Sequence, residues 1–356
     1  MTTMHDVARE AGVSQASVSF AFNRPERLSP EVRQNILAVA HRLRYPGPHP
    51  AAKSLRSGKA GAIGLVVNDE LAYAFEDPAV TLMLRGIGLV NDLSSVALTI
   101  LPFPDAHGSS LAGNGARLIL QSHVDGFIFE AFPENHAAHE AALSRALPIV
   151  IMGSPRIPDV LSVTIDERSA ARLAAEHIIA LGHRRIGILV DRVLSDGYKG
   201  LVKRSRREKA LNSVTALRIS GYEDAFNAAG LPFDAAPILE AGGYLRAQAD
   251  GAAIDLLENH GEITAAIAIS DVMAVALLDQ AKCRGIEVPR DLSVIGFDDV
   301  PIAQSYGLTT IKQPIVERGQ IAAQMLVDAI AGREVSSQVL DFSLVQRATT
   351  ASPGND

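Results

Sequence analysis

From residue 62 onward the chain repeats one pattern, and that pattern restricts the fold more than any other feature. Ile63–Val67 is a continuous apolar run that reads as a buried strand, and helical spacing follows from about Pro78 to Asp92. Val96–Leu101 is a second strand. A helical stretch precedes Val124–Phe129, and another precedes Ile149–Met152. The rhythm restarts at Ser162–Ile165 and runs through Ile186–Val190, Ala266–Ile269 and Leu292–Ile295. Apolar strands alternating with helices predict parallel sheets covered on both faces. About ten such units suit two doubly wound lobes. Ligands in such folds sit beyond the carboxyl ends of strands, and interfaces between lobes favour pockets.

The first 60 residues are different in kind. They hold nine Lys/Arg against four Asp/Glu, a charge of +5 in a chain whose net charge is −7, so the remainder carries −12. Such asymmetry points to a nucleic-acid-binding end on an acidic body, or to chance clustering on a solvated surface. Thr3 and Asp6 have the form of a capping box for a helix from about Met4 to Ala11, and Gly12 is its natural stop. Ser14 can cap a second helix from Gln15 to about Phe22, which Asn23 and Pro25 end. Ser29 and Pro30 open a third, with Val32, Ile36, Val39, Ala40 and Leu43 along one stripe. Two short helices joined at a glycine form a helix-turn-helix. That unit sets the start of its second helix against base edges, here Gln15, Ala16, Ser17 and Phe20. Gln15 can pair bidentately with adenine, and Ala16 offers only an apolar contact. A small three-helix bundle with a solvated polar face is the plainer alternative.

Chemistry is absent from the motifs. The chain shows no Gly-x-x-x-x-Gly-Lys-Ser/Thr run and no Gly-x-Gly-x-x-Gly fingerprint. His136, His139 and Glu140 lie in no zinc spacing and read as scattered surface histidines. The single cysteine, Cys283, excludes an internal disulfide framework and a cysteine-cluster metal site. No catalytic residue, metal or cofactor is expected. The opening residues carry an early acid and no long apolar region, and no apolar run approaches a membrane span, so a cytoplasmic location without membrane contact is expected. The basic run Lys199, Lys203, Arg204, Arg206, Arg207 and Lys209 reads as a solvated loop.

Met4-His5-Asp6-Val7-Ala8-Arg9-Glu10-Ala11-Gly12-Val13-Ser14, then Ser17-Val18-Ser19, Asn23 and Arg42-Leu43-Arg44-Tyr45, resemble the headpiece of the lactose/galactose repressor family of bacterial transcriptional regulators. Phe20 departs from the pattern, since many members carry Arg there. It is left either to touch a thymine methyl or to pack against its own headpiece. Three prolines in Tyr45–Pro50 make a linker. Ala51–Lys59 then resembles the family's hinge helix. The resemblance gives Leu55 the role of a minor-groove wedge and Lys53 and Arg56 the role of holding phosphates.

The resemblance continues through Ala180-Leu181-Gly182-His183-Arg184-Arg185-Ile186-Gly187, Arg218 before Gly221-Tyr222, Val288-Pro289, Ile295-Gly296-Phe297-Asp298-Asp299 and Leu308–Pro314. It implies a periplasmic-binding-protein-like body with three crossovers between its lobes. Effector contacts carry over to Arg218 and Asp298, whose chemistry suits a polyhydroxylated ligand. Ser270 and Asp271 occupy the place of a frequent Asn-Asp pair. Asp69, Phe75 and Asp125 are further candidates near first-lobe strand ends, either as ligand contacts or as caps and turns.

The expected fold is therefore α/β: an all-α helix-turn-helix headpiece (1–46), a linker and hinge helix (47–60), and a two-lobed doubly wound domain (61–346) before a tail (347–356). Lobe 1 is placed at about 61–163 and 315–342, lobe 2 at about 164–312 and 343–350. The expected function is a sequence-specific regulator, a repressor controlled by a small molecule of carbohydrate type. Its expected partners are double-stranded operator DNA, that effector and a second copy of the chain. The dimer surface is expected on the helix after Pro78 and the helix Asp271–Arg284. The tail shows no heptad for a coiled coil. The alternatives are a cytoplasmic sugar-binding protein with an N-terminal interaction module, and a sugar-phosphate enzyme, which lacks a visible nucleophile or cofactor loop.

Overall fold

The computed structural model describes residues 2–47, 58–90, 96–103, 110–134, 136–210 and 213–354. The chain forms two compact units, Met1–Gly61 and Ala62–Asp356.

In the first unit, α1 (Met4–Ala11) begins with the reciprocal Thr3–Asp6 capping box and stops where Gly12 turns left-handed at φ 66°. A residue with a Cβ would be strained there. Next comes α2 (Gln15–Asn23), with the Ser14 hydroxyl accepting from the Ser17 amide. A short 3-10 turn at Pro25–Arg27 leads to α3 (Pro30–Arg42), capped by Ser29. Val7, Ala8, Val18, Ala21, Ile36, Val39 and Ala40 form the small core. Arg42 of α3 closes onto Glu10 of α1 at 2.8 Å. Each cap satisfies amides that a short helix leaves orphaned.

In the second unit, one lobe carries β1 (Ala62–Val67), α4 (Tyr73–Glu76), α5 (Pro78–Gly88), β2 (Ala97–Pro102), α6 (Ser110–Gln121), β3 (Phe127–Phe129), α7 (Ala137–Leu143), β4 (Ile149–Met152) and β5 (Leu161–Thr164). The other carries α8 (Glu167–Ala180), β6 (Ile186–Val190), β7 (Gly200–Leu201), α9 (Arg204–Arg207), α10 (Val214–Ala228), β8 (Ile238–Glu240), α11 (Arg246–Asn259), β9 (Ala265–Ala268), α12 (Asp271–Cys283), β10 (Ser293–Asp298), α13 (Pro301–Ser305) and β11 (Thr309–Lys312). The chain then returns through α14 (Ile315–Ile330) and β12 (Gln338–Val339) to the first sheet, and ends with β13 (Ser343–Val345) in the second.

Among the described residues the first sheet has six strands in the order β12-β5-β4-β3-β1-β2, all parallel. The second has seven in the order β13-β11-β10-β9-β6-β8-β7, parallel except at its two edges. The chain crosses between sheets beside Ile165, beside Gln313 and between β12 and β13. Along β1 every residue is buried, with Ile63, Leu65 and Val67 in one core and Ala62 and Val66 in another. That is the signature of a strand covered on both faces. The strands β7, β8, β12 and β13 were not legible as apolar runs, being two or three residues long. The helix after Pro78 ends at Gly88, short of the expected Asp92. Among the described residues no helix is long and apolar enough to cross a membrane.

Two helix pairs rest on glycines. Gly86 of α5 lies against the backbone of α14, where a Cβ would stand 2.0 Å from the Val316 carbonyl oxygen. Gly221 of α10 lies equally close to the Arg168 carbonyl of α8, at 2.1 Å.

Candidate functional site

The second helix of the headpiece presents Gln15 and Ala16 exposed and Ser17 half-buried. The Ser17 hydroxyl lies 3.0 Å from that of Ser14, so part of its hydrogen-bonding capacity serves the cap. Phe20 is half-buried, and the Arg27 guanidinium stands 5.5 Å from its ring centroid. Lys53, Leu55 and Arg56 lie outside the described residues.

In the body, a cleft lies at the carboxyl ends of strands from both sheets, with a cavity volume of about 140 Å³. That volume admits several waters or a compact ligand. Its wall repeats one rule: Asn68 follows β1, Glu130 follows β3, Gly153 follows β4, Asp191 follows β6, Asp298 ends β10 and Gln313 follows β11. The chain turns out of each strand there, so side chains of both lobes converge on one space.

Arg218 and Asp298 both line this cleft. The Arg218 Nε donates to Glu167 Oε2 at 2.8 Å, Nη1 donates to the Ile269 carbonyl at 2.6 Å, and the guanidinium stacks on Phe297 at 3.6 Å. Burial works against the charge of Arg218, yet the neighbouring Glu167 and Asp298 outweigh it and hold the group charged beyond its usual range. Asp298 takes a hydrogen bond from the Gln313 amide. Burial pushes its carboxyl well above the usual range, against the pull of Arg218. Its backbone φ of 119° is a strained conformation for a residue with a side chain, of the kind that accumulates where structure serves a site.

Ser270 lines the cleft while capping α12. Asp271 is displaced from the wall. Its Oδ1 accepts from the Thr310 hydroxyl at 2.6 Å and its Oδ2 from the Val300 amide at 2.9 Å, so it ties α12 to the strand and loop behind the cavity. With Asp271, three further expected positions are corrected, since they too lie outside the wall. Asp69 stands outside the wall, 3.8 Å from Arg192. Phe75 is 62% exposed on α4 and does not line the cavity. Asp125 precedes β3, its amide bonded to the Ala62 carbonyl, and so lies at the end of the strand opposite the cleft.

Other wall residues were missed. Glu130 accepts from the Tyr73 hydroxyl at 2.9 Å, and burial, reinforced by Asp77, raises its pKa to about 7. Asp77 caps α5 through the Ala79 and Val80 amides, and burial raises its carboxyl too. Asp191 accepts from Thr215 at 2.8 Å and is shifted upward by the same cause. Arg318 is buried near Glu167, 3.8 Å away, and burial lowers its pKa. The signal was available, since Asn68, Glu130 and Asp191 each come directly after an apolar run.

Elsewhere the basic run is matched by acids: Arg206 pairs with Asp196 and Glu240, and Arg207 with Asp234. His139 is not the surface histidine expected but is buried against Phe129 and Phe132. Among the described residues no group of three or more His, Cys, Asp or Glu is placed to hold a metal ion.

A sequence profile of bacterial regulatory proteins of the lacI family matches residues 3–47, and one of the periplasmic binding protein-like domain matches residues 175–350. A helix-turn-helix-type transcriptional regulator of Mycobacterium tuberculosis is 35% identical over 352 residues, covering 99% of this chain and 97% of that protein. The chain belongs to the LacI family of bacterial regulatory proteins. A solved LacI-family regulator from Corynebacterium glutamicum is 32% identical with a TM-score of 0.77, each chain covered to 98%. The Lac repressor dimer bound to operator and the anti-inducer ONPF is 26% identical with a TM-score of 0.79, covering 98% of this chain and 99% of that one. This LacI-family chain is thus a DNA-binding transcriptional regulator, with a helix-turn-helix headpiece on a periplasmic-binding-protein-like body.

Proposed function

We propose that this regulator is a cytoplasmic homodimeric repressor whose DNA binding responds to a small polyhydroxylated effector held between the lobes. The observation that carries the effector reading is the convergence of Asp298, Glu130 and Asp191, at strand ends of both sheets, with Arg218 of α10 in one cavity. Guanidinium and carboxylate groups bind neighbouring hydroxyls through charge-assisted hydrogen bonds. A ligand bridging the two lobes stabilises whichever lobe arrangement it contacts better, and that difference is the whole of its leverage on DNA binding. Gln15, Ala16, Ser17 and Phe20 are assigned to base edges, and Lys53, Leu55 and Arg56 to the hinge. Two copies joined through α5 and α12 would read a pseudo-palindromic operator. The repressor role is supported by likeness to the Lac repressor. The protein is proposed to bind its effector without turning it over.

The test is selection of DNA sites from a random pool by the full-length protein at stated salt, with and without a mixed sugar library. An enriched pseudo-palindrome that is depleted when sugar is present is the expected result. Enrichment that no sugar alters removes the effector reading, and no enrichment at low salt removes operator binding.

A further inference from the structure

Arg318 is a charged residue on a stripe where the fold calls for apolar ones. It lies one turn into α14, among Ile315, Gly319 and Ala322 on the face that packs inward, and its side chain is only 13% exposed. A buried guanidinium is costly unless its donors find acceptors. Among the described residues nothing accepts a hydrogen bond from this one. Its Nε is sealed from solvent without a partner, and Nη1 stands 3.8 Å from Glu167 Oε1, beyond hydrogen-bond reach.

Glu167 does not answer that charge, because Arg218 already engages it. Arg218 spends Nε on Glu167 and Nη1 on the Ile269 carbonyl, while its Nη2 stays 3.8 Å from Asp298 Oδ1. Two guanidiniums, one from α10 and one from α14, thus crowd one buried carboxylate, and both line the cavity with donors unspent. Burial works against the Arg318 charge, and the pull of Glu167, opposed by Arg218, does not make it good. The carboxyls of the wall are also less acidic than their number suggests. Burial shifts Asp77, Glu130, Asp191 and Asp298 toward the protonated form, Glu130 to a pKa of about 7. A protonated carboxyl is a further donor.

We infer that the effector carries an acid group, a carboxylate or a phosphate, and that Arg318 holds it with the Nη2 edge of Arg218 beside it. The inference rests on the proposed effector site and narrows it to polyhydroxylated acids. A planar guanidinium pairs with either group through two parallel hydrogen bonds, so the anion supplies both the acceptors and the countercharge that Arg318 lacks. A hydroxyl supplies an acceptor but no countercharge, and a neutral polyol leaves much of the cost of burying Arg318 in place.

The experiment is isothermal titration calorimetry of the full-length protein at constant ionic strength. D-glucose is compared with D-glucuronate, D-gluconate and glucose 6-phosphate, and D-ribose with ribose 5-phosphate. Binding by at least one acid, about tenfold or more tighter than its neutral parent, is expected. Binding of the carboxylates without the phosphates, or the reverse, identifies the source of the charge. Arg318→Met and Arg318→Gln, both uncharged, should each weaken the acid about tenfold and leave a neutral probe unchanged, whereas Arg318→Lys should keep part of the preference. A thermal melt checks that each variant folds. A neutral parent that binds as tightly as its acids, or an acid preference that a folded uncharged variant leaves intact, overturns the assignment to Arg318 while the effector site stands. Absence of binding by every probe, neutral and acidic, overturns the polyol-effector reading itself and this inference with it.

Discussion

Arg218 and Glu167 form a buried ion pair at 2.8 Å, with side chains only 8% and 3% exposed, and it joins α10 to the first turn of α8 just past a lobe crossover. The pair links the cleft wall to the segment through which the chain passes between lobes. Arg318 approaches the same carboxylate from α14, beside another crossover.

Removing one partner of this pair should cost far more than removing both. Arg218→Met leaves Glu167 buried beside only the more distant Arg318, and a loss of about 3 kcal/mol is expected. Arg218→Met combined with Glu167→Met should recover much of that loss while still abolishing the proposed effector response. Urea unfolding of the parent, both single variants and the double variant checks this, and a loss in the double variant equal to the sum of the two single losses would show that the pair is not coupled.

On the DNA side, Gln15 is exposed at the start of α2. Gln15→Ala should cost about 1–3 kcal/mol and relax preference at a single base pair in each half-site. Site selection repeated with the variant reads this directly. A uniform loss across all sequences would place Gln15 on the phosphate backbone instead.

Two glycines on one helix should behave oppositely. A Cβ at Gly86 would meet the Val316 carbonyl oxygen at 2.0 Å, whereas one at Gly88 meets nothing within 4 Å. Gly86→Ala should destabilise by about 3 kcal/mol by forcing α5 and α14 apart. Gly88→Ala should be neutral or gain up to about 1 kcal/mol from helix propensity. Thermal melts of both variants decide it.

His139 should give the body an acid-sensitive limb. Burial, and to a smaller degree His136, lowers its pKa from 6.5 to about 4, and both ring nitrogens lack partners. The unfolded chain takes up this proton near pH 6.5 and the folded chain only near pH 4. Its stabilising contribution is therefore whole above pH 6.5 and is lost as pH falls to about 4, a change of roughly 3 kcal/mol. His139→Leu should flatten that part of the stability–pH curve. An identical slope in both proteins would assign the limb to other groups.

Across the mouth of the cleft, Arg192 of the second lobe donates to the Asn68 carbonyl of the first at 3.2 Å and to Tyr244 at 3.1 Å. Tyr244 in turn stacks on Tyr73 of the first lobe at 5.1 Å. Arg192→Ala should favour open lobes in the ligand-free protein, seen as a larger radius of gyration in small-angle scattering. An unchanged radius would show that this contact does not limit opening.

The headpiece was legible because its signals are local. A capping hydroxyl bonds an amide three residues on, and Gly12 ends its helix by its own backbone freedom, so Thr3, Ser14 and Ser29 announce their helices without reference to the rest of the chain. The buried strands were legible for a similar reason, since burial on both faces demands unbroken apolar runs such as Ile186–Val190. Arg218 and Asp298 were reached through resemblance, with no local pattern to mark them. Only the tertiary structure brought Asn68 to Glu130, 62 residues away, because β1 pairs with β3 in the sheet. It also separated Asn68, on the wall, from Asp69 one residue later, and turned Asp125 to the far end of its strand. Sequence settles what a segment becomes when its hydrogen bonds are its own. Which strand ends meet across the cleft depends on strand order and register, which are set by packing between segments remote in the chain.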